Sequence, residues 1–256
     1  MGRVLEIGLE QERYYKVAKA NDLVRQAKSD LNLTELKVMA YLFSKIKPDD
    51  TELKEYEFDT KNFCQICGID YKNGYHYGNV KKTIDQLFGK KFWIVRPNGD
   101  DVGCQWIVKP VISKRTGKII VKLDPDLQQY VIGLKEKYVQ YEFINILPMQ
   151  SSYSIRIYEI LMSYRNIGHA EFEIEDLKNK LMCQHYKSFA DVRRRVLEPA
   201  VEEINKYAND IYVSYEPIKH GAKVIRVKFE IREKEIPEKL KAIAQTTGQL
   251  EVKRKK

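Results

Sequence analysis

Tyr56-Glu57-Phe58-Asp59-Thr60-Lys61-Asn62-Phe63-Cys64-Gln65-Ile66-Cys67-Gly68 is answered in the second half of the chain by Ala170-Glu171-Phe172-Glu173-Ile174-Glu175-Asp176-Leu177-Lys178-Asn179-Lys180-Leu181-Met182-Cys183. Phe58 aligns with Phe172, Phe63 with Leu177 and Cys67 with Leu181, all at one offset of 114 residues. In each copy a short strand-like piece leads into a short helix. Asp59 and the Thr that follows it suit a helix start.

Working outward, each copy is preceded by a longer amphipathic helix. From about Thr34 to Ile46, the residues Leu36, Met39, Phe43 and Ile46 share one face. From about Ser152 to Tyr164, the residues Tyr153, Ile157, Ile160, Leu161 and Tyr164 do the same. Spacings of three and four are those of a helix buried on one side. A third helix follows each copy. The first carries Val80, Ile84, Leu87 and Phe88. The second carries Val192, Val196, Ala200 and Ile204, flanked by Phe189, Leu197 and Val201. Pro199 removes one amide donor from that helix and is expected to kink it.

After each third helix, apolar residues alternate on both sides of turns. The first copy reads Phe92 to Val95, a turn at Pro97-Asn98-Gly99-Asp100, then Cys104, Trp106 and Val108. A further run, Lys118 to Leu123, follows the turn Lys114-Arg115-Thr116-Gly117. The second copy reads Ile211, Val213 and Tyr215, a turn near His220-Gly221, then Ile225, Val227, Phe229 and Ile231. Such alternation predicts hairpins. Three helices followed by a β-hairpin is the winged-helix arrangement, a helix-turn-helix with an added wing. The expected fold is therefore α+β: two tandem winged-helix domains related by internal duplication. Residues 1–20 are expected as a leader, 21–143 as the N-terminal domain, 144–232 as the C-terminal domain and 233–256 as a basic tail. Pro125 to Tyr141 reads as a connecting helix, with the junction near Phe143 to Gln150. The final Lys253-Arg254-Lys255-Lys256 is expected to be disordered.

The composition suits this reading. Of 256 residues, 43% are apolar and 17 are Tyr, enough to bury a core that a disordered chain lacks. Lys plus Arg number 45 against 36 Asp plus Glu, a net charge of +9 that favours a polyanionic partner such as nucleic acid or an anionic membrane. No run of 18 apolar residues exists to span a membrane, and the charged N-terminus lacks a secretory apolar run. A cytoplasmic protein is expected. Cys64 and Cys67 form a C-x-x-C, but a second pair to complete a zinc site is missing, and Phe63, Ile66 and Cys67 fall at helical spacing on one apolar face. Buried reduced thiols are expected, and no metal or cofactor.

The third helix of the second copy carries the sharpest chemical signal: Lys187 and Ser188 at its start, then Arg193, Arg194 and Arg195. In a helix-turn-helix the start of the second motif helix enters the major groove. Arg can grip guanine O6 and N7 with two hydrogen bonds, while Lys and Ser suit phosphates or bases. Each residue of an α-helix turns about 100°, so at most two of the three Arg share the groove face. The third is expected on a phosphate or paired with Asp191 or Glu198. A solvated basic face is the competing reading. The first copy offers His76, Tyr77, Asn79, Lys81 and Lys82 at the matching place, with core packing of the tyrosines as the alternative. Lys114 and Arg115, and Lys219, His220 and Lys223 at the second wing tip, can touch backbone or enter a minor groove. The chain lacks a P-loop, and its four histidines form no H-x-H or H-E-x-x-H, so no enzyme is expected.

Asn21-Asp22-Leu23-Val24, Leu33-Thr34-Glu35-Leu36-Lys37, Tyr153 through Leu161 (YSIRIYEIL), Phe189 through Asn205 (FADVRRRVLEPAVEEIN), Asp210-Ile211 and Phe229-Glu230-Ile231 resemble the replication initiator (Rep) proteins of theta-replicating, iteron-bearing plasmids, the RepE/RepA/pi type. The similarity covers about residues 20 to 232. It implies that the C-terminal domain makes the main sequence-specific contacts to an origin repeat, through the helix starting near Lys187. The N-terminal domain would bind the other end of the repeat and form a dimer interface. It further implies origin opening, loading of host initiator and helicase, and repression of the protein's own gene by dimers. Arg156 matches a family position too, where a structural or phosphate role is expected. A two-domain transcription regulator and an origin-nicking relaxase are the alternatives.

Overall fold

The structure is a computed structural model. It describes residues 8, 10–27, 30–67, 75–95, 99–113 and 115–255, and only the backbone of 75–77, 95 and 252–255. The first unit begins with a 3-10 turn (Glu12–Tyr14), β1 (Lys16–Ala20) and α1 (Asn21–Gln26). Next come α2 (Leu33–Ser44), β2 (Glu55–Asp59), α3 (Thr60–Ile66) and α4 (Tyr75–Gly89). Four strands follow: β3 (Lys91–Val95), β4 (Asp101–Gln105), β5 (Ile107–Ile112) and β6 (Lys118–Leu123). Then come a short α5 (Gln128–Val131) and β7 (Tyr138–Glu142). The second unit runs α6 (Ser152–Met162), β8 (His169–Glu173), α7 (Ile174–Leu181), α8 (Phe189–Val192), a π-helical turn (Arg193–Leu197), α9 (Glu198–Tyr207), β9 (Ile211–His220) and β10 (Lys223–Glu233). The final helix is α10 (Ile236–Lys255).

The duplication is present in three dimensions. The sheet β2–β6–β5 has the same order of connection as β8–β10–β9. Phe58 and Phe172, Phe63 and Leu177, and Cys67 and Leu181 are all buried. Local chemistry sets the helix starts. Asn32 caps α2 in a capping box with Glu35, and Asp59 accepts from the Asn62 amide at 3.0 Å to start α3. The apolar stripe Val192, Val196, Ala200 and Ile204 is buried throughout. Pro199 leaves its mark as the preceding π turn, where the Glu198 amide bonds to Arg193 O, five residues back.

Several expectations are corrected. The hairpin directly after α4, β3–β4, is a separate two-stranded sheet, and the wing equivalent to β9–β10 is β5–β6. The Pro125–Tyr141 stretch is a 3-10 turn, α5 and β7 instead of one helix: left-handed Gly133 (φ +64°) and Lys137 (φ +53°) break it, and Tyr138–Glu142 then alternates as a strand paired to β1. Residues 12–20, assigned to the leader, contribute the 3-10 turn and β1. Much of the tail is helical, because Ala242, Thr246 and Leu250 pack inward and the Thr246 hydroxyl donates to Tyr207 O. The junction is core: Phe143, Ile144, Ile146, Leu147 and Met149 are buried, and Lys37 donates to Leu147 O (2.7 Å) and Met149 O (2.8 Å). All four cysteines are buried thiols, and burial pushes Cys64 up to about 12, so it packs as a small apolar group. Arg156 donates to Lys180 O, and burial holds its pKa below the usual value.

Candidate nucleic-acid interface

In the second domain, α7, a turn through left-handed Met182, and α8 form the helix-turn-helix. Ser188 caps α8: its hydroxyl oxygen accepts from the Asp191 amide (3.1 Å) and its O–H donates to Asp191 Oδ2 (2.7 Å). That bond, reinforced by Arg194, holds the Asp191 carboxyl below its ordinary pKa. The three arginines radiate from the π turn with more than half of each side chain exposed. Arg193 Nε lies 3.3 Å from Glu198, Arg194 3.1 Å and Arg195 3.9 Å from Asp191. All three are therefore carboxylate-paired, not one as expected. A π turn also rotates less per residue than an α turn, so the arginines fan over a narrower arc than an α-helix would give. Exposed pairs of this kind are worth about 0–1 kcal/mol, so a phosphate or guanine can displace the carboxylate.

The wing comes to meet this helix. A concavity of about 500 Å³ lies between α7, the start of α8 and the β9–β10 tip. Lys187, Ser188, Arg193, Lys219 and Lys223 all line it, so five of the predicted residues converge although 36 positions of chain separate the first from the last. Left-handed Gly221 (φ +61°) makes the tight turn that brings Lys219 and Lys223 to the tip. Lys178, which sequence reasoning missed, lines the same concavity and pairs with Glu175 at 3.1 Å. Its signal was only a Lys in the last turn of the first motif helix, a common placement. His220 is exposed at the end of β9.

In the first domain, Lys81 and Lys82 are exposed on α4, and Asn79 is half-buried with its carbonyl accepting from the Thr83 hydroxyl at 2.8 Å. The side chains of His76 and Tyr77, and Lys114, lie outside the described residues. Arg115 is exposed in the β5–β6 turn, which is the topological counterpart of the second wing tip. That turn is fixed to the start of α3, since the Thr60 amide and hydroxyl both donate to Gly117 O. Each domain thus joins a basic third helix to a basic wing. Among the described residues no cluster of three metal-ligating side chains occurs, and no helix is long and apolar enough to cross a membrane.

Two family models match successive parts of the chain. A family model described as Initiator Replication protein, WH1 matches residues 16–162, and one described as Initiator Rep protein, WH2 matches residues 173–231. A replication initiation protein of Escherichia coli is 25% identical over 205 residues, covering 75% of this chain; the chain spans 63% of that protein's length. The Pi initiator protein, solved in complex with iteron DNA, shares the fold with a TM-score of 0.71 at 21% identity, over 87% of this chain and 99% of that one. Matched over more than half its length by the first family model and over residues 173–231 by the second, the chain belongs to the family of initiator replication proteins.

Proposed function

We propose that this protein is a plasmid replication initiator that binds double-stranded direct repeats, or iterons, at its origin and carries out no catalysis itself. The observation that carries this reading is the concavity of the second domain, where Lys187 and Arg193 at the recognition helix face Lys219 and Lys223 at the wing tip. Such a site grips a groove from the helix and the flanking backbone from the wing. The iteron complex of the structurally similar Pi initiator supports the choice of ligand.

On this reading residues 144–232 make the main sequence-specific contacts, through Lys187, Ser188, Arg193, Arg194 and Arg195. Residues 21–143 add contacts through α4, with His76, Tyr77, Asn79, Lys81 and Lys82, and through Lys114 and Arg115 at the wing. The first domain also supplies a dimer surface. Origin opening, loading of host initiator and helicase, autorepression by dimers and residence in the bacterial cytosol complete the proposal. Footprinting on the DNA flanking the protein's own gene tests it: protection of evenly spaced direct repeats is expected. Protection confined to a promoter would favour a transcription regulator. A covalent tyrosyl-DNA adduct formed on supercoiled origin DNA with Mg²⁺ or Mn²⁺ would reveal a relaxase.

A further inference from the structure

A second basic cleft, of about 770 Å³, lies far along the sequence from any recognition helix, over the outer face of the β1–β7 ribbon. Strand alternation buries Val17, Val139 and Tyr141, and leaves Lys16, Ala18, Tyr138 and Gln140 on the outer face. The end of α2 and the turn that follows form one wall, and the chain after α5 forms the other. Phe43, Ile46, Pro48, Val131 and Leu134 supply apolar surface, while Tyr15 and Tyr138 stand partly exposed at the rim. Every charged residue in the lining is a lysine: Lys16, Lys45, Lys47 and Lys135. Lys45 is held by Glu12 at 2.5 Å and Lys16 by Glu142 at 3.0 Å. Lys47 and Lys135 are exposed and form no ion pair with a described residue.

We propose that this cleft binds an acidic peptide segment carrying large apolar side chains, presented by a protein partner. Lys47 and Lys135, which form no ion pair with a described residue, give the cleft a net positive charge complementary to an acidic segment. The aliphatic floor takes a Leu or Phe, and the volume falls in the usual range of a binding pocket. Duplex DNA is a poor fit, because its backbone has no apolar group for the floor, and no residue of α4, α8 or either wing lines the cleft. A single-stranded base fits less well than a peptide, because its polar edges would meet mainly aliphatic surface. The cleft can thus be filled while the recognition helices hold duplex DNA.

The test uses the full-length protein and a fluorescein-labelled peptide, Asp-Asp-Phe-Asp-Asp-Leu, read by fluorescence anisotropy. Saturable binding is expected, with clear loss when Phe and Leu are both replaced by Ser. The double variant Lys47→Glu/Lys135→Glu should bind the peptide about tenfold or more weakly. Its melting temperature and its affinity for duplex origin DNA should not change. Lys47→Arg/Lys135→Arg should retain the peptide. Equal affinity for the Ser-substituted peptide would overturn the proposal, since charge alone would then suffice. So would displacement of the peptide by oligo-dT, which would assign the cleft to single-stranded nucleic acid. A change of oligomeric state in the charge-reversed variant, seen by sedimentation, would assign it to a second copy of the chain and equally overturn the proposal.

Discussion

Arg194 sits with two thirds of its side chain in solvent and one hydrogen bond to Asp191 at 3.1 Å. That pairing pre-orients the guanidinium at little cost to a later exchange of partners, because exposed ion pairs contribute so little. Arg194→Ala is expected to weaken binding to the specific repeat by about 1–3 kcal/mol while leaving random duplex nearly unaffected. Lys81 is exposed on α4, and on the proposed reading it meets phosphate. Lys81→Ala should weaken binding to all sequences and reduce the salt dependence by about one unit of slope in a salt titration. Lys234 plays a different part: buried, it donates to Asn205 O (2.6 Å) and Ala208 O, closing the C-terminus of α9. Burial lowers its pKa from 10.5 to about 8. Folded protein therefore holds fewer protons than unfolded protein between about pH 8 and 10.5, and this residue's contribution to stability rises with pH across that window. Comparing urea unfolding of the wild type and Lys234→Met at several pH values should show the slope flattened in the variant. That Arg193, Arg194 and Arg195 are solvent-facing was legible in the sequence, because they fall outside the buried stripe of Val192, Val196, Ala200 and Ile204. The role of Lys234 was not, since a lysine after a strand reveals nothing of the carbonyls it will meet.

Among the elements, the paired copies were legible because each must bury the same stripe, and burial fixes the spacing of Phe58, Phe63 and Cys67 as it does that of Phe172, Leu177 and Leu181. The wing of the first domain was misread because β3–β4 alternates as well as any wing does. Only the pairing of β6 with β2 distinguishes the two hairpins, and partner choice is a long-range fact. Pro125–Tyr141 was misread because its apolar residues admit a helical period, while the breaks come from left-handed conformations at Gly133 and Lys137. An irregularity near Pro199 was legible, and it takes the form of a π turn at Arg193–Leu197. A proline deletes a donor, and the chain answers here by widening the turn before it, which re-aims Arg193, Arg194 and Arg195. Pro199→Ala restores the donor and should let α8 and α9 merge into one α-helix. Affinity for the specific repeat is then expected to fall about tenfold, with non-specific binding unchanged and the melting temperature not lowered. Anisotropy titrations against specific and random duplexes check this. Equal affinity of wild type and variant for the specific site would mean that the π turn has no role in aiming the arginines.

At the scale of the whole molecule, the two winged helices share one continuous core, and the seam between them is polar at its centre. Lys19 on β1 donates to Glu159 Oε1 on α6 at 2.5 Å, and the Tyr141 hydroxyl donates to the same oxygen. Both partners of the ion pair are about nine tenths buried. Beside them, Asn145 and Tyr158 both donate to Asp210, at 3.0 and 2.6 Å. Arg25 on α1 reaches across to the Ser163 hydroxyl at 2.8 Å, and Lys180 on α7 donates back to Arg25 O. Apolar packing tolerates some sliding, whereas a buried charge needs a defined partner, so on the proposed reading this seam is expected to hold the mutual angle of the two basic surfaces. Glu159→Gln leaves the Lys19 ammonium buried without its counter-charge, beside the cationic Arg156 that lines the same small cavity. Removing one partner of a buried pair costs about 3–5 kcal/mol. Both tryptophans, Trp93 and Trp106, belong to the first domain, so their fluorescence reports that domain while far-UV circular dichroism reports the whole chain. In urea the two signals of the wild type should coincide in one transition. In Glu159→Gln the fluorescence and dichroism midpoints should both move down. A loss of less than about 1 kcal/mol in the variant, or separate transitions for the two signals of the wild type, would mean that the Lys19–Glu159 pair does not couple the two domains.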